Sequence, residues 1–157
     1  MHIASEARLH ELGIELPEQL PVIGSYRLAR RHRGIVCIAG HVCLRLDHSD
    51  LIRGKAGADL TLEEAYEAAR ACALHMLSTL RIETGSLDQV ACILKVFGMV
   101  NVAPGFVQLA QVMDGCTDQL VQVFGKDAGT PIRIAVEMAE LPFNAAVETE
   151  MTVALHN

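Results

Sequence analysis

The chain has 157 residues, of which 51% are hydrophobic and 20% are charged, a composition typical of a folded domain and not of a disordered segment. The formal net charge is −6, with no Trp and only two Tyr, which argues against nucleic-acid binding because such sites need basic surfaces and stacking aromatic rings. The length fits one domain, which we predict to span 1–157 with a helix and connector over 1–20.

The longest apolar runs are about ten residues, too short to cross a bilayer, and the N-terminus lacks the basic and apolar regions of a secretory signal. We therefore expect a cytoplasmic protein without membrane contact. The five cysteines are odd in number, form no Cys-x-x-Cys pair and lie in apolar segments, which predicts buried free thiols. His41, Cys43, Asp47 and His48 match no standard zinc spacing, so no metal site is predicted.

In chain order, the first expected element is a short helix over 4–14, with Ser5 as a possible cap. An extended connector through Pro17 and Pro21 follows, and then a strand over 22–30 that carries Tyr26. The apolar run 35–44 predicts a central strand, in which Gly40 suggests a bulge or a close backbone approach.

After a polar loop, Thr61-Leu-Glu-Glu64 matches a capping box and predicts a helix that ends at Gly85. The run 90–100 predicts a third core strand. A second long helix is expected to begin near Pro104 and to end at Gly125.

Two strands are predicted at the C-terminus, over 132–138 and 147–155, joined by a tight corner at Leu141-Pro142. In each, alternate residues are apolar and should form a buried face. The opposite face would then carry Arg133 and Glu148. A guanidinium is a bidentate receptor for carboxylates, and a nearby carboxylate can transfer a proton; an ion pair between neighbouring strands is the alternative explanation.

This order of elements predicts an α+β fold, with both long helices on one face of a mixed sheet. Because a small domain has difficulty burying so much apolar surface, oligomerisation is also expected.

The motifs in this order resemble the RidA (YjgF) family of imine/enamine deaminases, also called the endoribonuclease L-PSP or perchloric-acid-soluble protein family. The resemblance is strongest to its longer branch, which has an N-terminal helix. The stretches that carry the resemblance are Leu12-Gly-Ile-Glu-Leu-Pro17, Ile38-Ala-Gly-His41, Thr84-Gly-Ser-Leu-Asp88, Val112-Met-Asp-Gly-Cys-Thr-Asp118 and the segment from Arg133 to Glu150.

This resemblance implies a chorismate-mutase-like fold that forms a homotrimer, with small-molecule clefts between subunits. The implied reaction hydrolyses reactive imino or enamine acids to 2-oxo acids and ammonia, without metal or organic cofactor. Arg133 would bind the substrate carboxylate, and Glu148 would activate water or transfer a proton. Tyr26 would line the cleft, and Gly40 would form its backbone wall.

Three positions depart from the family pattern. Ala39 replaces a serine, Ala135 replaces a cysteine, and Asp114 replaces an asparagine at a predicted substrate-binding position. Asp114 would bring a negative charge close to Arg133 and weaken the binding of an anionic substrate. A non-catalytic trimer that binds a small carboxylate metabolite is therefore the alternative function. Ribonuclease activity is the weakest hypothesis because the chain is acidic.

Overall fold

The computed structural model of the chain describes residues 4–156. It contains three α-helices, two short 3-10 helices and a five-stranded sheet. In chain order the helices and strands are α1 (Ser5–Glu11), β1 (Ala29–His32), β2 (Ile35–Val42), α2 (Leu62–Thr84), β3 (Val90–Asn101), α3 (Leu109–Gly129), β4 (Ile132–Met138) and β5 (Val147–Leu155), with 3-10 turns at Leu87–Gln89 and Pro142–Asn144.

The strand order across the sheet is β1-β2-β5-β3-β4. The β3–β4 pair is parallel and the other neighbouring pairs are antiparallel, so the predicted mixed sheet is confirmed. The last strand, β5, enters the middle of the sheet between β2 and β3. This topology places the C-terminal strand at the centre of the fold.

Helices α2 and α3 pack together on one face of the sheet, as predicted, and the apolar core lies between the two layers. The contact surface of α2 is rich in alanine, which lets the helices approach closely. At Gly115 of α3, a Cβ atom would lie 2.0 Å from the carbonyl oxygen of Tyr66. Glycine is therefore required where the two helices meet.

The predicted ends of α2 are confirmed. The Thr61 side chain accepts a hydrogen bond from the backbone N–H of Glu64, and the Glu64 carboxylate accepts one from the N–H of Thr61. Gly85 ends the helix with φ of +81°, a left-handed conformation that glycine adopts without steric cost.

Two other predicted helix starts were wrong. Ser5 is the first residue of α1 and not its cap, because the preceding Ala4 occupies that position without a side-chain bond. Helix α3 begins at Leu109, and Pro104 lies in the turn before it. Gly125 does interrupt α3, with φ of +79°, but helical hydrogen bonding resumes as far as Gly129.

Tyr26 does not lie on a strand. Strand β1 covers only Ala29–His32, and the chain before it turns at Gly24, where φ is +122°. Such a turn prevents the preceding residues from continuing the β1 ladder. Of the predicted strand over 22–30, only residues 29 and 30 lie on a strand.

The two C-terminal strands are not neighbours, because β3 lies between β5 and β4. The assignment of Arg133 and Glu148 to one sheet face was also wrong. Met99 of β3 pairs with both Glu148 and Val136, so those side chains share one sheet face, and Arg133 projects from the other. An ion pair between Arg133 and Glu148 on neighbouring strands is therefore excluded within one chain.

The apolar side chains of β4 consequently face away from the helices. Ile132 is 72% exposed and Ile134 is 45% exposed, whereas the prediction had placed them in the core. Strand β5 follows the prediction, because Val147, Met151 and Val153 are buried beneath the helices. We call the sheet surface opposite the helices, which bears Ile35, Cys37, Phe97, Met99, Ile132, Ile134, Glu148 and Glu150, the open sheet face.

Among residues 4–156, no helix combines the length and apolar character needed to cross a membrane. All five cysteines are free thiols, but Cys37 is exposed on the open sheet face and Cys92 is only partly buried, contrary to the prediction that all are buried.

Candidate functional site

One cavity brings together three of the five residues proposed for the site. Tyr26, Gly40 and Glu148 all line a space of about 380 Å³ at the end of the open sheet face. The remaining lining residues are Leu20, Pro21, Ile23, Leu28, Val42, Leu44, Leu51, Pro142 and Phe143. We call this space the Glu148 cavity. Its wall is apolar except for one phenol and one carboxyl group.

Gly40 makes room for the carboxyl group of Glu148. The pairing of β2 with β5 shifts register between Ile38 and His41, so Ala39 and Gly40 form the expected bulge. A Cβ atom on residue 40 would lie 2.3 Å from Oε1 of Glu148. Any other amino acid at this position would displace the carboxyl group, which explains the glycine in the strand.

Glu148 is half-buried, and burial raises the pKa of its carboxyl group above the ordinary value of 4.5. Among the described residues, no hydrogen bond or charge offsets this effect. A carboxyl group in an apolar pocket retains its proton to higher pH and can then donate it. The environment thus favours Glu148 as a proton donor and acceptor.

The bulge that carries Gly40 is held by His41, whose side chain is fully buried. Its Nδ1 lies 2.7 Å from the carbonyl oxygen of Ala39, and its Nε2 lies 2.8 Å from the hydroxyl oxygen of Thr79 in α2. Burial lowers the pKa of His41, so the ring is neutral. Because a carbonyl can only accept, Nδ1 carries the proton and donates it, and Nε2 accepts from Thr79.

The opposite rim is formed by the corner between β4 and β5. Phe143 has φ of +57° and its side chain lines the cavity. The buried Asn101 side chain fixes this corner by donating to Oδ1 of Asn144 at 3.0 Å and to the carbonyl of Ala145 at 3.2 Å. Asn101, Phe143 and the positioning role of His41 were not predicted from the sequence. Asn144 has φ of +59°, a conformation that asparagine tolerates better than most residues. This asparagine was the one local signal of the corner in the sequence.

Arg133 and Asp114 do not line the Glu148 cavity. They meet on the helix side of the sheet, where Nη1 of Arg133 donates to Oδ1 of Asp114 at 2.8 Å and to Thr117 Oγ1 at 3.0 Å. Its Nη2 donates to the carbonyl of Ala110 at 3.3 Å. The contact between Asp114 and Arg133 expected from the sequence is present. We call these two side chains with Thr117 the arginine cluster.

The described part of the chain contains no group of three His, Cys, Asp or Glu side chains arranged to hold a metal ion. Hydrogen bonds, chiefly with the Cys72 side chain, lower the pKa of the buried Cys43 thiol, but Cys43 does not line the cavity. The other two buried thiols make poor nucleophiles. Burial raises the pKa of Cys116 to about 12 and raises that of Cys72, which keeps both protonated near neutral pH. The chemistry available at the cavity is therefore that of a carboxyl group and a phenol.

Comparison with known proteins agrees with the fold. The family model described as "YjgF/chorismate_mutase-like, putative endoribonuclease" matches residues 6–153. Protein TCP17 of Trypanosoma cruzi is 37% identical over 156 residues, which cover 96% of this chain and 94% of that protein.

Two crystal structures are also similar. A "putative endoribonuclease" from Shewanella oneidensis has a TM-score of 0.92 at 27% identity, covering 98% of this chain and 100% of that one. Protein Atu1372 of Agrobacterium tumefaciens, of unknown function, has a TM-score of 0.87 at 29% identity, covering 98% and 94%. The match over most of the chain shows that this protein belongs to the RidA/YjgF family, with its chorismate-mutase-like fold.

Proposed function

We propose that this protein hydrolyses reactive imines and enamines to carbonyl compounds and ammonia, with Glu148 as the proton-transfer group. The observation that carries this proposal is the placement of Glu148. Its carboxyl group has a raised pKa, lies against Gly40 and faces an apolar cavity that also holds Tyr26.

The reaction needs little more than orientation and proton transfer, because a protonated imine is already a strong electrophile. The protonated carboxyl group of Glu148 gives its proton to the imine nitrogen and becomes a carboxylate. Water then adds to the imine carbon, forming the new C–O bond, and its proton passes to Glu148. Glu148 returns this proton to the nitrogen and is again a carboxylate. As the C–N bond breaks, the hydroxyl group gives its proton to this carboxylate, so the carbonyl forms, ammonia leaves and Glu148 is protonated as at the start. An enamine enters the same sequence after protonation at carbon.

The other residues of the cavity orient and shield the reactants. The apolar side chains exclude bulk water and strengthen the electrostatic effect of Glu148 on a cationic iminium. Tyr26 offers a hydroxyl group that can hold the attacking water or the substrate nitrogen. The bulge held by His41 keeps the backbone at Gly40 close to the reacting group.

We also propose that the sites are completed in a homotrimer, at clefts between subunits. Two observations support assembly. The open sheet face exposes isoleucine side chains on β4, and such apolar patches mark contact surfaces. In addition, Arg133 and Glu148 lie on opposite sheet faces of one chain, so they could approach one cleft only if two copies contribute.

The experiment is a continuous assay of imine hydrolysis, with imines generated in situ by an amino-acid oxidase or an amine oxidase. Semicarbazide traps the imine that escapes, so hydrolysis lowers the yield of the trapped product. We expect wild type to exceed the uncatalysed rate, and Glu148→Gln to lose at least about a hundredfold in kcat/KM, the usual contribution of a general acid–base group.

The matched control is Glu150→Gln. Glu150 lies on the same strand and projects from the same sheet face, but it is exposed and does not line the cavity. This variant should retain wild-type rates. Absence of turnover for every imine tested would refute the proposal, and measurable binding of those compounds without turnover would favour a non-catalytic ligand-binding protein. Equal activity of Glu148→Gln and wild type would remove Glu148 from the mechanism.

A further inference from the structure

We propose that the substrates of this site are small apolar imines that carry no carboxylate group, and that Asp114 sets this preference by occupying Arg133. This inference rests on the proposed imine hydrolysis and names its substrate class. It departs from the imino acids that the family resemblance implies.

Arg133 has its hydrogen-bonding groups engaged within the chain. Its guanidinium already donates to the Asp114 carboxylate, the Thr117 hydroxyl and the Ala110 carbonyl, and its side chain is only 21% exposed. In the proposed homotrimer, Arg133 of a second copy approaches the cleft that contains Glu148, and a substrate carboxylate bound there would have to displace Asp114 from the same donor. Such an exchange replaces one charge-assisted hydrogen bond with another, so it yields little net binding energy.

The net charge of the Arg133–Asp114 pair also argues against binding of an anionic substrate. Arg133 and Asp114 together carry no net charge, so the arginine cluster produces a weak field for an anion that approaches it. With Asn in place of Asp114, the guanidinium charge would be uncompensated by this neighbour. The residue at position 114 therefore determines whether Arg133 can act as an anion receptor.

The Glu148 cavity itself is also unsuited to an anion. None of its lining residues is Lys, Arg or His, and its one acidic group is Glu148. If Arg133 of the second copy is held by its own Asp114, a substrate carboxylate in this space meets only the apolar walls and a second carboxyl group of the described residues. Burying an anion without a counter-charge is strongly unfavourable.

An uncharged imine is better suited to this cavity than an anion. It loses little on leaving water for an apolar wall, and after protonation its positive charge lies beside the Glu148 carboxylate. The cavity volume of about 380 Å³ is at the small end of the range for ligand pockets. The geometry therefore fits a branched aliphatic or single-ring imine of the kind that amine oxidation supplies.

The test compares two imines that differ only in the carboxylate. Oxidation of leucine by an amino-acid oxidase gives 2-imino-4-methylpentanoate, and oxidation of 3-methylbutylamine by an amine oxidase gives 3-methylbutan-1-imine. After correction for uncatalysed hydrolysis, we expect wild type to favour the uncharged imine in kcat/KM by about tenfold or more, the effect of one charge-assisted contact.

Asp114→Asn should move the ratio of the two kcat/KM values towards the imino acid by about tenfold, because it frees the Arg133 charge. The matched control is Asp118→Asn, one helical turn later on α3, where the carboxylate accepts a hydrogen bond from Tyr66 and does not bond to Arg133. This control should leave the ratio unchanged. A purely structural role of Asp114 would lower both rates and leave their ratio constant.

A binding measurement tests the role of Asp114 without requiring catalysis. Titration with 4-methyl-2-oxopentanoate should leave the melting temperature of wild type nearly unchanged and raise that of Asp114→Asn. A preference of wild type for the imino acid, or an unchanged ratio in Asp114→Asn, would overturn the inference while imine hydrolysis stands. If neither imine is hydrolysed, the proposed function fails, and an equal shift of both proteins by the oxo acid would then overturn the Asp114 assignment as well.

Discussion

The proposed chemistry depends on the carboxyl group of Glu148. Burial of this group also destabilises the fold when the group is ionised. Burial raises its pKa, so the folded protein binds this proton more tightly than the unfolded chain does. The contribution to stability is complete below the ordinary pKa of 4.5 and is lost as the pH rises through the raised pKa. Above the raised pKa, therefore, the ionised Glu148 opposes folding.

Replacing Glu148 with Gln tests this cost directly. The variant cannot ionise, so its melting temperature should exceed that of wild type at about pH 7.5, and the difference should shrink as the pH falls towards about 4. Differential scanning calorimetry across this range measures it. The exposed control Glu150→Gln should show no such trend, and a Glu148→Gln variant less stable than wild type at about pH 7.5 would contradict the assigned environment.

For single residues, the sequence predicted which of them line the site better than it predicted which of them lie close together. It predicted Tyr26, Gly40 and Glu148 as site residues, which the structure places in one cavity, and it predicted the contact of Asp114 with Arg133. It placed Arg133 and Glu148 together wrongly, because period-2 alternation shows that faces exist without showing which face the helices cover.

Among the elements, α2 has the clearest local signals and the most accurate prediction. A reciprocal pair of hydrogen bonds begins the helix and a left-handed glycine ends it, and both depend on residues within a few positions of each other. Helix α3 lacks a side-chain cap, and its start after the turn at 103–105 is set by tertiary packing. Local patterns therefore placed α2 well and α3 poorly.

The capping box of α2 gives a prediction at this scale. Thr61→Ala removes the acceptor for the Glu64 N–H and should destabilise the protein by about 1 kcal/mol, a fall in melting temperature of roughly 2–4 °C. Thr61→Ser retains the hydroxyl and should remain close to wild type. A loss as large for serine as for alanine would show that the methyl group, and not the capping bond, is responsible.

For the molecule as a whole, the open sheet face is the feature that a single chain leaves unexplained. The opposite face of the sheet packs against both helices and forms the core. The apolar side chains of β4 on the open sheet face project away from that core. In the proposed homotrimer the apolar part of this face on β4 would be buried between subunits, and Arg133 of one copy could approach the cleft of another. The alternation in 132–138 was recognised from sequence, but its burial partner was not, because a single sequence contains no information on which surface a second copy covers.

The assembly can be measured by light scattering coupled to size-exclusion chromatography. Wild type should have three times the chain mass of 17.0 kDa. Ile134→Glu places a charge on the open sheet face and should shift the mass towards that of one chain, because burying an unpaired charge is unfavourable.

The matched control for assembly is Ile82→Glu. Ile82 is also an exposed isoleucine, but it lies on α2 at the other side of the sheet, so this variant should keep the wild-type mass. A wild-type mass of one chain would contradict the proposed trimer. Dissociation of both variants alike would show that the open sheet face has no special part in assembly.

The most direct measurement is kcat/KM for hydrolysis of 3-methylbutan-1-imine by wild type and Glu148→Gln under identical conditions. We predict hydrolysis above the uncatalysed rate by wild type and a loss of at least about a hundredfold on removal of the carboxyl group. A wild-type rate no greater than the uncatalysed rate, both for this imine and for 2-imino-4-methylpentanoate, or a Glu148→Gln variant as active as wild type, would contradict the assignment of Glu148 as the proton-transfer group of an imine hydrolase.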